Sequence, residues 1–271
     1  MDAAGSAHED LPHVYLGGLV KRLLLLAAAS SSALLGLAPM TASAAPTVFH
    51  HPYIPGHAVR SAGWSASNWS GYAKSGNYTS ATAQWVVPSV SPTRGASYSS
   101  AWVGIDGFTN SDLIQTGTES DYYNGSAHYN AWWEILPAPE TAITTFAVRP
   151  GDVMTASITK GSGSSWTITI NDTTNGGTFT TTQNYTGAGT SVEWIEEAPT
   201  VGGRVATLAH YGSPDTFDPG KANGVSPGLT INDSGVMVQK RVQVSTPSAP
   251  DSDGDGFNAS YGATAPAPPT T

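Results

Sequence analysis

The amino-acid sequence predicts an all-β protein, and three observations lead to that expectation. Short runs rich in Thr, Val, Tyr and Trp recur along the chain, several with alternating apolar and polar residues. Pro, Gly and Asn mark turns between the runs. No long segment repeats its apolar residues at the 3.6-residue period of a helix. Frequent short strands without helices are typical of a β-sandwich or a β-barrel.

The first 44 residues have the layout of a secretory signal peptide. Lys21 and Arg22 precede an apolar run over residues 23–37, and the small residues 42–44 form an Ala-Ser-Ala cleavage site. The apolar run is too short to favour a membrane-spanning helix. We therefore expect residues 1–44 to be removed and the protein to be secreted to the cell exterior.

The next segment, residues 45–63, is interpreted as a propeptide or flexible arm. It contains three prolines and three histidines and has no strand-like alternation. His50 and His51 are adjacent, but two histidines in a loose segment do not by themselves make a metal site. The expected processing is a cut after Ala44 and a second cut that removes some or all of the arm.

The strand signals fill the rest of the chain up to residue 262, so residues 64–262 are predicted to form one domain. An Asn-Gly-Gly step at residues 175–177 predicts a hairpin. The last residues, 263–271, are rich in Ala and Pro and are predicted to be disordered. The clearest predicted strands cover residues 82–87, 144–148, 153–159, 165–171, 177–183 and 257–261.

Composition excludes several classes of function. The chain has 20 acidic and 11 basic residues, a net charge of −9, which argues against a nucleic-acid partner. It has no cysteine, which excludes cysteine catalysis and thiolate metal sites. Only 11% of residues are charged, so the surface is solvated mainly by neutral polar groups, and its charge would change little as the pH falls. No later segment is apolar enough to cross a bilayer, so no membrane partner is expected after the signal is removed.

Other hydrolase and metal motifs are missing or incomplete. The sequence contains neither the G-x-S-x-G motif of serine hydrolases nor the H-E-x-x-H motif of zinc peptidases. Residues 251–256 mimic the start of a calcium loop, but the twelfth position is Gly262 instead of a bidentate Glu. An acidic turn before a last strand explains this segment, and no metal or cofactor is predicted.

The candidate site is a face shared by four strand-like segments. Because residues two apart in a strand face the same way, each segment places an acid, an amide or an indole on one side. An ordinary solvated face is one interpretation, although indole rings are uncommon on a merely wet surface. The candidate residues are Trp102, Asp106, Gln115, Glu119, Asn130, Trp132, Glu134 and Glu193.

Two chemistries fit this face. A pair of carboxylates such as Glu134 and Glu193 fits cleavage of a glycosidic bond on a lectin-like sandwich. Alternatively, one carboxylate activates water while an amide stabilises the oxyanion. The residue patterns alone leave both open, together with a sandwich that only binds glycans.

Five segments in order resemble the glutamic peptidase family, also called eqolisins. The resemblance covers residues 68–261 and implies a sandwich of two antiparallel sheets, concanavalin-like or jelly-roll in architecture, with a concave substrate-binding face. It also implies a secreted endopeptidase that works in acid on polypeptide substrates, without cofactor; we expect a monomer. The matching segments are residues 68–71, 102–107, 113–117, 129–137 and 192–196.

The resemblance also implies residue roles. The family's Gln falls on Gln115, which would hold the attacking water and stabilise the oxyanion. Its Glu falls on Glu193, which would act as general base and then as acid toward the leaving nitrogen. Three positions depart from the fungal pattern: Glu119 and Asn130 each replace an Asp, and Leu136 replaces a Tyr. Supporting roles in the cleft fall on Trp102, Asp106, Trp132 and Glu134.

Overall fold

The structure is a computed structural model that describes residues 44–57, 62–212 and 214–271. The predicted signal peptide, except Ala44, lies outside the described residues. Within those ranges no helix is long and apolar enough to cross a membrane. The only helical element described is a single 3₁₀ turn at Ile231–Asp233.

Strands make up nearly all the regular structure, which confirms the predicted all-β class. In chain order they are β1 (Val48–Phe49), β2 (Trp64–Ala66), β3 (Trp69–Ser75), β4 (Ser80–Val86), β5 (Ser100–Ile105), β6 (Ile114–Tyr123), β7 (Ser126–Ile135), β8 (Thr141–Ile143), β9 (Val153–Lys160), β10 (Ser165–Asp172), β11 (Gly177–Asn184), β12 (Ser191–Glu197), β13 (Thr200–Val201), β14 (Arg204–Val205), β15 (Asp215–Ala222), β16 (Ser234–Gln239), β17 (Val242–Pro247) and β18 (Phe257–Tyr261).

Fifteen of the described strands join in one long sheet, in the order β11-β10-β9-β4-β15-β18-β17-β16-β3-β12-β5-β6-β7-β8, with β2 added beside β16. Neighbours along this order are antiparallel, and only the β2–β16 pair is parallel. The sheet folds back on itself, because β5 packs against β4 and β9, and β6 against β9 and β10. The result is the predicted sandwich. In a separate small sheet, β1 pairs with β13, and β13 pairs with β14.

Alternation along the strands separates the core from the opposite face. In β5, Val103 and Ile105 point into the main core, which also contains Trp85 and Ile168 from the other layer. Burying an aliphatic or aromatic side chain of this size contributes roughly 1.5–3 kcal/mol. Trp102 points the other way, into a second cluster that also contains Trp69, Leu113, Trp132 and Ile195. This second face carries the candidate site.

Most predicted strands appear with small shifts of their ends, and the 175–177 step forms the turn between β10 and β11. The predicted strand at residues 144–148 is wrong. Only Thr141–Ile143 pairs with β7, and the chain then continues without a ladder while Val148 still packs into the core. Residues 263–271 have no regular secondary structure, and Asn258 Nδ2 donates to Ala267 O at 2.8 Å, so the tail contacts the body.

Candidate active site

Strand register brings the candidate residues together in three rows across β12, β5, β6 and β7. Directly opposed residues face the same side of a sheet. The first row is Glu193, Gly104, Gln115 and Glu134; the second is Ile195, Trp102, Gly117 and Trp132; the third is Glu197, Ser100, Glu119 and Asn130. The rows form the floor of a cleft with acids on both sides of a tryptophan strip.

Gly117, in the middle row, leaves room for the side chain of Trp102 in the cleft floor. A Cβ atom at Gly117 would come within 2.5 Å of Trp102 Cβ and 2.3 Å of Ala101 O. Trp102 in turn meets Trp69 edge to face, with ring centroids 5.0 Å apart. Any larger residue at position 117 would therefore push the indole out of the cleft floor.

Gln115 is fully buried and its amide orientation is fixed by two acceptors. Its Nε2 donates to Glu134 Oε2 at 2.6 Å and to His50 O at 3.4 Å. The amide therefore presents its N–H groups to a backbone carbonyl, as an oxyanion donor must. Burial raises the pKa of Glu134 to about 8, so this carboxyl holds a proton in acid and neutral solution.

Glu197 lies on the other side of the same backbone segment. Trp102 Nε1 donates to Glu197 Oε2 at 2.8 Å, which fixes the carboxylate. Glu197 Oε1 accepts from the backbone N–H of His51 at 3.3 Å. Gln115 and Glu197 thus contact the two ends of one peptide unit, the carbonyl of His50 and the amide of His51.

Glu193, the predicted partner of Gln115, has different neighbours from Glu197. It is fully buried, and burial raises its pKa well above the ordinary value; Ser191 opposes this shift and Asp106 adds to it. Glu197, four residues later on the same strand face, is the β12 carboxylate that contacts the same peptide unit as Gln115. Glu197 was not among the candidate residues predicted from the sequence.

Asp106 anchors a loop and does not contact the Gln115 group. It directly follows β5 and has a left-handed conformation with φ of 70°. Its carboxylate accepts from Tyr185 Oη at 2.7 Å, Gly189 N at 2.8 Å and Thr190 N at 2.8 Å, and also from Asn110. Burial alone would raise the pKa of Asp106, but these hydrogen bonds outweigh it and lower the pKa. The residue ties the segment before β12 to the end of β5.

Glu119 lies at the centre of an acidic pocket that holds an imidazole. His50 is fully buried; its Nε2 lies 3.0 Å from Glu119 Oε1 and 3.3 Å from Glu140 Oε2, and its Nδ1 lies 3.0 Å from Glu197 Oε2. The ring stacks on Trp132, with centroids 3.7 Å apart and planes within 6°. Burial alone would lower the pKa of His50, but attraction to Glu119 and the carboxylate hydrogen bonds raise it well above its usual value.

The pocket has an outer mouth. Asn130 and Glu140 line a cavity of about 250 Å³, together with Asp121 and arm residues from Ala45 to Val48. Burial, then the charge of Glu119, raises the pKa of Asp121 well above its usual value. Asn130 therefore lies at the rim of the acidic pocket and does not contact Gln115.

The arm is ordered where it crosses this cleft, which differs from the expected flexible segment. β1 pairs with β13, and Tyr53 N donates to Gly107 O at 2.9 Å. The backbone N–H of His50 also donates to Glu134, at 3.2 Å to Oε2. Sequence reasoning missed His50 because proline and histidine content carries no signal for a contact that depends on a cleft far away in the chain.

A second carboxyl pair is buried on the opposite side of β12. Glu196 and Asp215 are almost fully buried, and each influences the pKa of the other. Burial, with repulsion from Asp215, raises the pKa of Glu196 well above its usual value. Burial also raises the pKa of Asp215, to about 7.

Two groups among the described residues have ligand atoms close enough for a metal ion. One is His50 with Glu119 and Glu140, inside the acidic pocket; the other is Asp218, Asp251 and Asp255, each group with its atoms within 4.8 Å. In the second group Asp251 Oδ1 already accepts the N–H groups of residues 254 and 255. That loop is the acidic turn predicted before the last strand.

Comparisons with known proteins agree with this fold. The Peptidase A4 family model matches residues 67–254. Aspergillopepsin-2 of Aspergillus niger is 31% identical over 219 residues, which cover 69% of this chain and 77% of that protein. Scytalidopepsin B of Scytalidium lignicola is 35% identical over 112 residues, covering 41% of this chain and 42% of that protein.

Solved structures show the same fold. Scytalido-glutamic peptidase, crystallised with a transition-state analogue inhibitor, aligns with a TM-score of 0.62 and 24% identity, covering 72% of this chain and 98% of that one. Aspergilloglutamic peptidase from Aspergillus niger aligns with a TM-score of 0.50 and 27% identity, covering 61% and 99%. The chain therefore belongs to the Peptidase A4 family, the glutamic peptidases or eqolisins, which hydrolyse peptide bonds.

Proposed function

We propose that this protein is a secreted endopeptidase that acts in acid through Gln115 and Glu197. One observation carries the assignment: the side-chain amide of Gln115 and the carboxylate of Glu197 contact the carbonyl and the amide of the same peptide unit. A peptidase of this type needs a donor at the carbonyl oxygen and an acid-base group within reach of the leaving nitrogen, and these two contacts supply both.

In this mechanism the Glu197 carboxylate removes a proton from water as the water oxygen attacks the substrate carbonyl carbon. Gln115 Nε2 stabilises the negative charge that develops on the carbonyl oxygen. Glu197 then gives its proton to the leaving nitrogen. Trp102 holds Glu197 in place, and Glu134 holds the Gln115 amide.

The protonation of Glu134 permits action in acid. Its carboxyl lies beside the position of the oxyanion and, with a pKa of about 8, stays neutral in acid. Ionisation at higher pH would place a negative charge against the developing oxyanion and slow the reaction. The secretory leader read from residues 1–44 and the low content of charged residues support action outside the cell. We propose that the enzyme acts there as a monomer, away from the membrane.

The test compares two matched variants of one strand. Glu197→Gln and Glu193→Gln each replace a fully buried carboxyl on the same face of β12 by an amide of the same shape. We expect Glu197→Gln to abolish hydrolysis of casein in acid, while Glu193→Gln retains it. Gln115→Ala should lower kcat by roughly 10²- to 10³-fold.

Circular dichroism controls for folding. If the folded Glu197→Gln protein keeps near wild-type turnover and the Glu193→Gln protein is inactive, Glu193 is the general base instead of Glu197. If all three variants remain active, the Gln/Glu mechanism is wrong.

A further inference from the structure

The arm crosses the cleft in the way an extended polypeptide substrate binds. Val48 and Phe49 add a strand to β13. Further along, Ile54 N donates to Asn68 Oδ1 at 3.0 Å and Gly56 N donates to Ser65 O at 2.8 Å. Backbone pairing of this kind positions an extended peptide while its side chains enter pockets.

One bond of the arm is placed for reaction. The carbonyl oxygen of His50 is 3.4 Å from Gln115 Nε2, and the N–H of His51 is directed at Glu197 Oε1 at 3.3 Å. Among the described arm residues, no other peptide unit has a hydrogen bond to both side chains. The His50–His51 bond therefore lies where a bond to be hydrolysed would lie.

The side chain before this bond enters the acidic pocket. Three carboxylates surround the imidazole of His50, from Glu119, Glu140 and Glu197. Glu134 also faces this residue, through the backbone N–H. A neutral side chain here would leave buried carboxylates without a counter-charge, which is strongly unfavourable. The flat contact with Trp132 favours a planar group.

We propose that Glu119, Glu140 and Trp132 form a subsite for a protonated histidine side chain, so that the enzyme cuts after histidine, and that the His50–His51 bond is such a bond in the chain itself. This proposal rests on the peptidase mechanism given above. The raised pKa of His50 supports it, because the imidazole then carries its charge over a wide pH range.

The reaction at this bond needs only water. The water oxygen bonds to the carbonyl carbon of His50 and its proton goes to Glu197; the bond from that carbon to the His51 nitrogen breaks, and Glu197 returns the proton to this nitrogen. One product ends in the His50 carboxylate and the other begins with the His51 amine. His50 Nδ1 is hydrogen-bonded to Glu197 Oε2, so a water molecule must replace the imidazole at this oxygen before the reaction can begin. The arm should therefore be cut slowly and block the cleft until then.

The first experiment follows the full chain after transfer from neutral to acid buffer, by N-terminal sequencing and intact mass. We expect a new N-terminus at His51, formed at a rate independent of protein concentration. His50→Gln should slow this cut by roughly 10- to 100-fold, the usual effect of losing hydrogen bonds to charged groups. His50→Arg, which keeps a planar cation, should restore part of the rate.

The second experiment uses added peptides, so it does not depend on the folding of a variant. The wild-type enzyme should prefer Ala-Val-Phe-His-His-Pro over the same peptide with Gln in the first His position, by roughly 10- to 100-fold in kcat/KM. Glu119→Gln and Glu140→Gln should each reduce that preference ratio. Asp253→Asn, an equal change of charge at an exposed position in the loop before β18, should leave the ratio as it is.

The outcomes separate this proposal from the proposed function. An enzyme that digests casein in acid, but shows no preference for histidine and cuts its arm elsewhere or not at all, would overturn the subsite while the peptidase mechanism stands. A preference that survives in both Glu119→Gln and Glu140→Gln would overturn it as well. Loss of all hydrolysis in the folded wild-type protein would contradict the proposed function itself.

Discussion

The buried pair of Glu196 and Asp215 predicts that the fold is most stable in acid. Burial raises the pKa of Asp215 from its ordinary 3.8 to about 7. The folded state therefore keeps a proton that the unfolded chain releases, so this stabilisation is complete below pH 4 and is lost as the pH rises through 7. About three pKa units at about 1.4 kcal/mol each amount to roughly 4 kcal/mol.

That amount is a large part of a typical unfolding free energy of about 5–15 kcal/mol. The raised pKa of Glu196 acts in the same direction, and the charges of Glu119 and Glu197 add to it. We expect the unfolding free energy of the protein to fall by several kcal/mol between pH 4 and pH 7. Asp215→Asn should make this fall smaller by roughly 4 kcal/mol.

The assay is guanidinium unfolding followed by tryptophan fluorescence at pH 4, 5, 6 and 7, in a Gln115→Ala background that prevents self-digestion. Asp112→Asn, at an exposed position, is the matched control and should keep the wild-type slope. An Asp215→Asn protein whose stability falls with pH as steeply as that of the control would refute the reasoning.

Three further predictions concern the site. The Glu134→Gln side chain cannot ionise near pH 8, so the loss of activity at alkaline pH should shift to higher pH while the protein stays folded. If the pH of this loss does not change, a group other than Glu134 causes it. Trp102→Phe loses the N–H that holds Glu197, and kcat should fall roughly tenfold or more, whereas Gln84→Ala, whose side chain binds only Asp218 O, should be nearly silent in kcat. EDTA should leave casein hydrolysis unchanged, because the proposed mechanism uses no metal; activity lost on chelation and restored by calcium would contradict this.

Alternation of residues predicted the strands and the cleft face well, because burial on one side of a sheet imposes a period of two. It could not choose between Glu193 and Glu197, since residues four apart share a face. That choice depends on which carboxylate meets the Trp102 indole, a contact set by side-chain packing across strands. Alternation also failed at residues 144–148, where Phe146 and Val148 pack against the core without any strand to pair with.

The arm shows a second limit of sequence reasoning. Nothing local to His50 indicates that it meets Glu119 and Glu140, 69 and 90 residues later, because long-range charge pairing leaves no periodic signal. The family resemblance supplied Gln115, but it carried no information about what occupies the cleft of this particular chain.

The end of the long sheet has a consequence for behaviour in concentrated solution. β11 pairs with β10 and with no other described strand, and threonines on the two strands meet in pairs 3.1–3.2 Å apart. Its edge carries no charged residue between Gly177 and Asn184. The sequence isoelectric point is about 5.0, so repulsion between molecules is weakest in the acid range. Colloidal stability in that pH range then depends on the hydration of hydroxyl groups, and the open edge of β11 offers backbone groups with which a second molecule could pair.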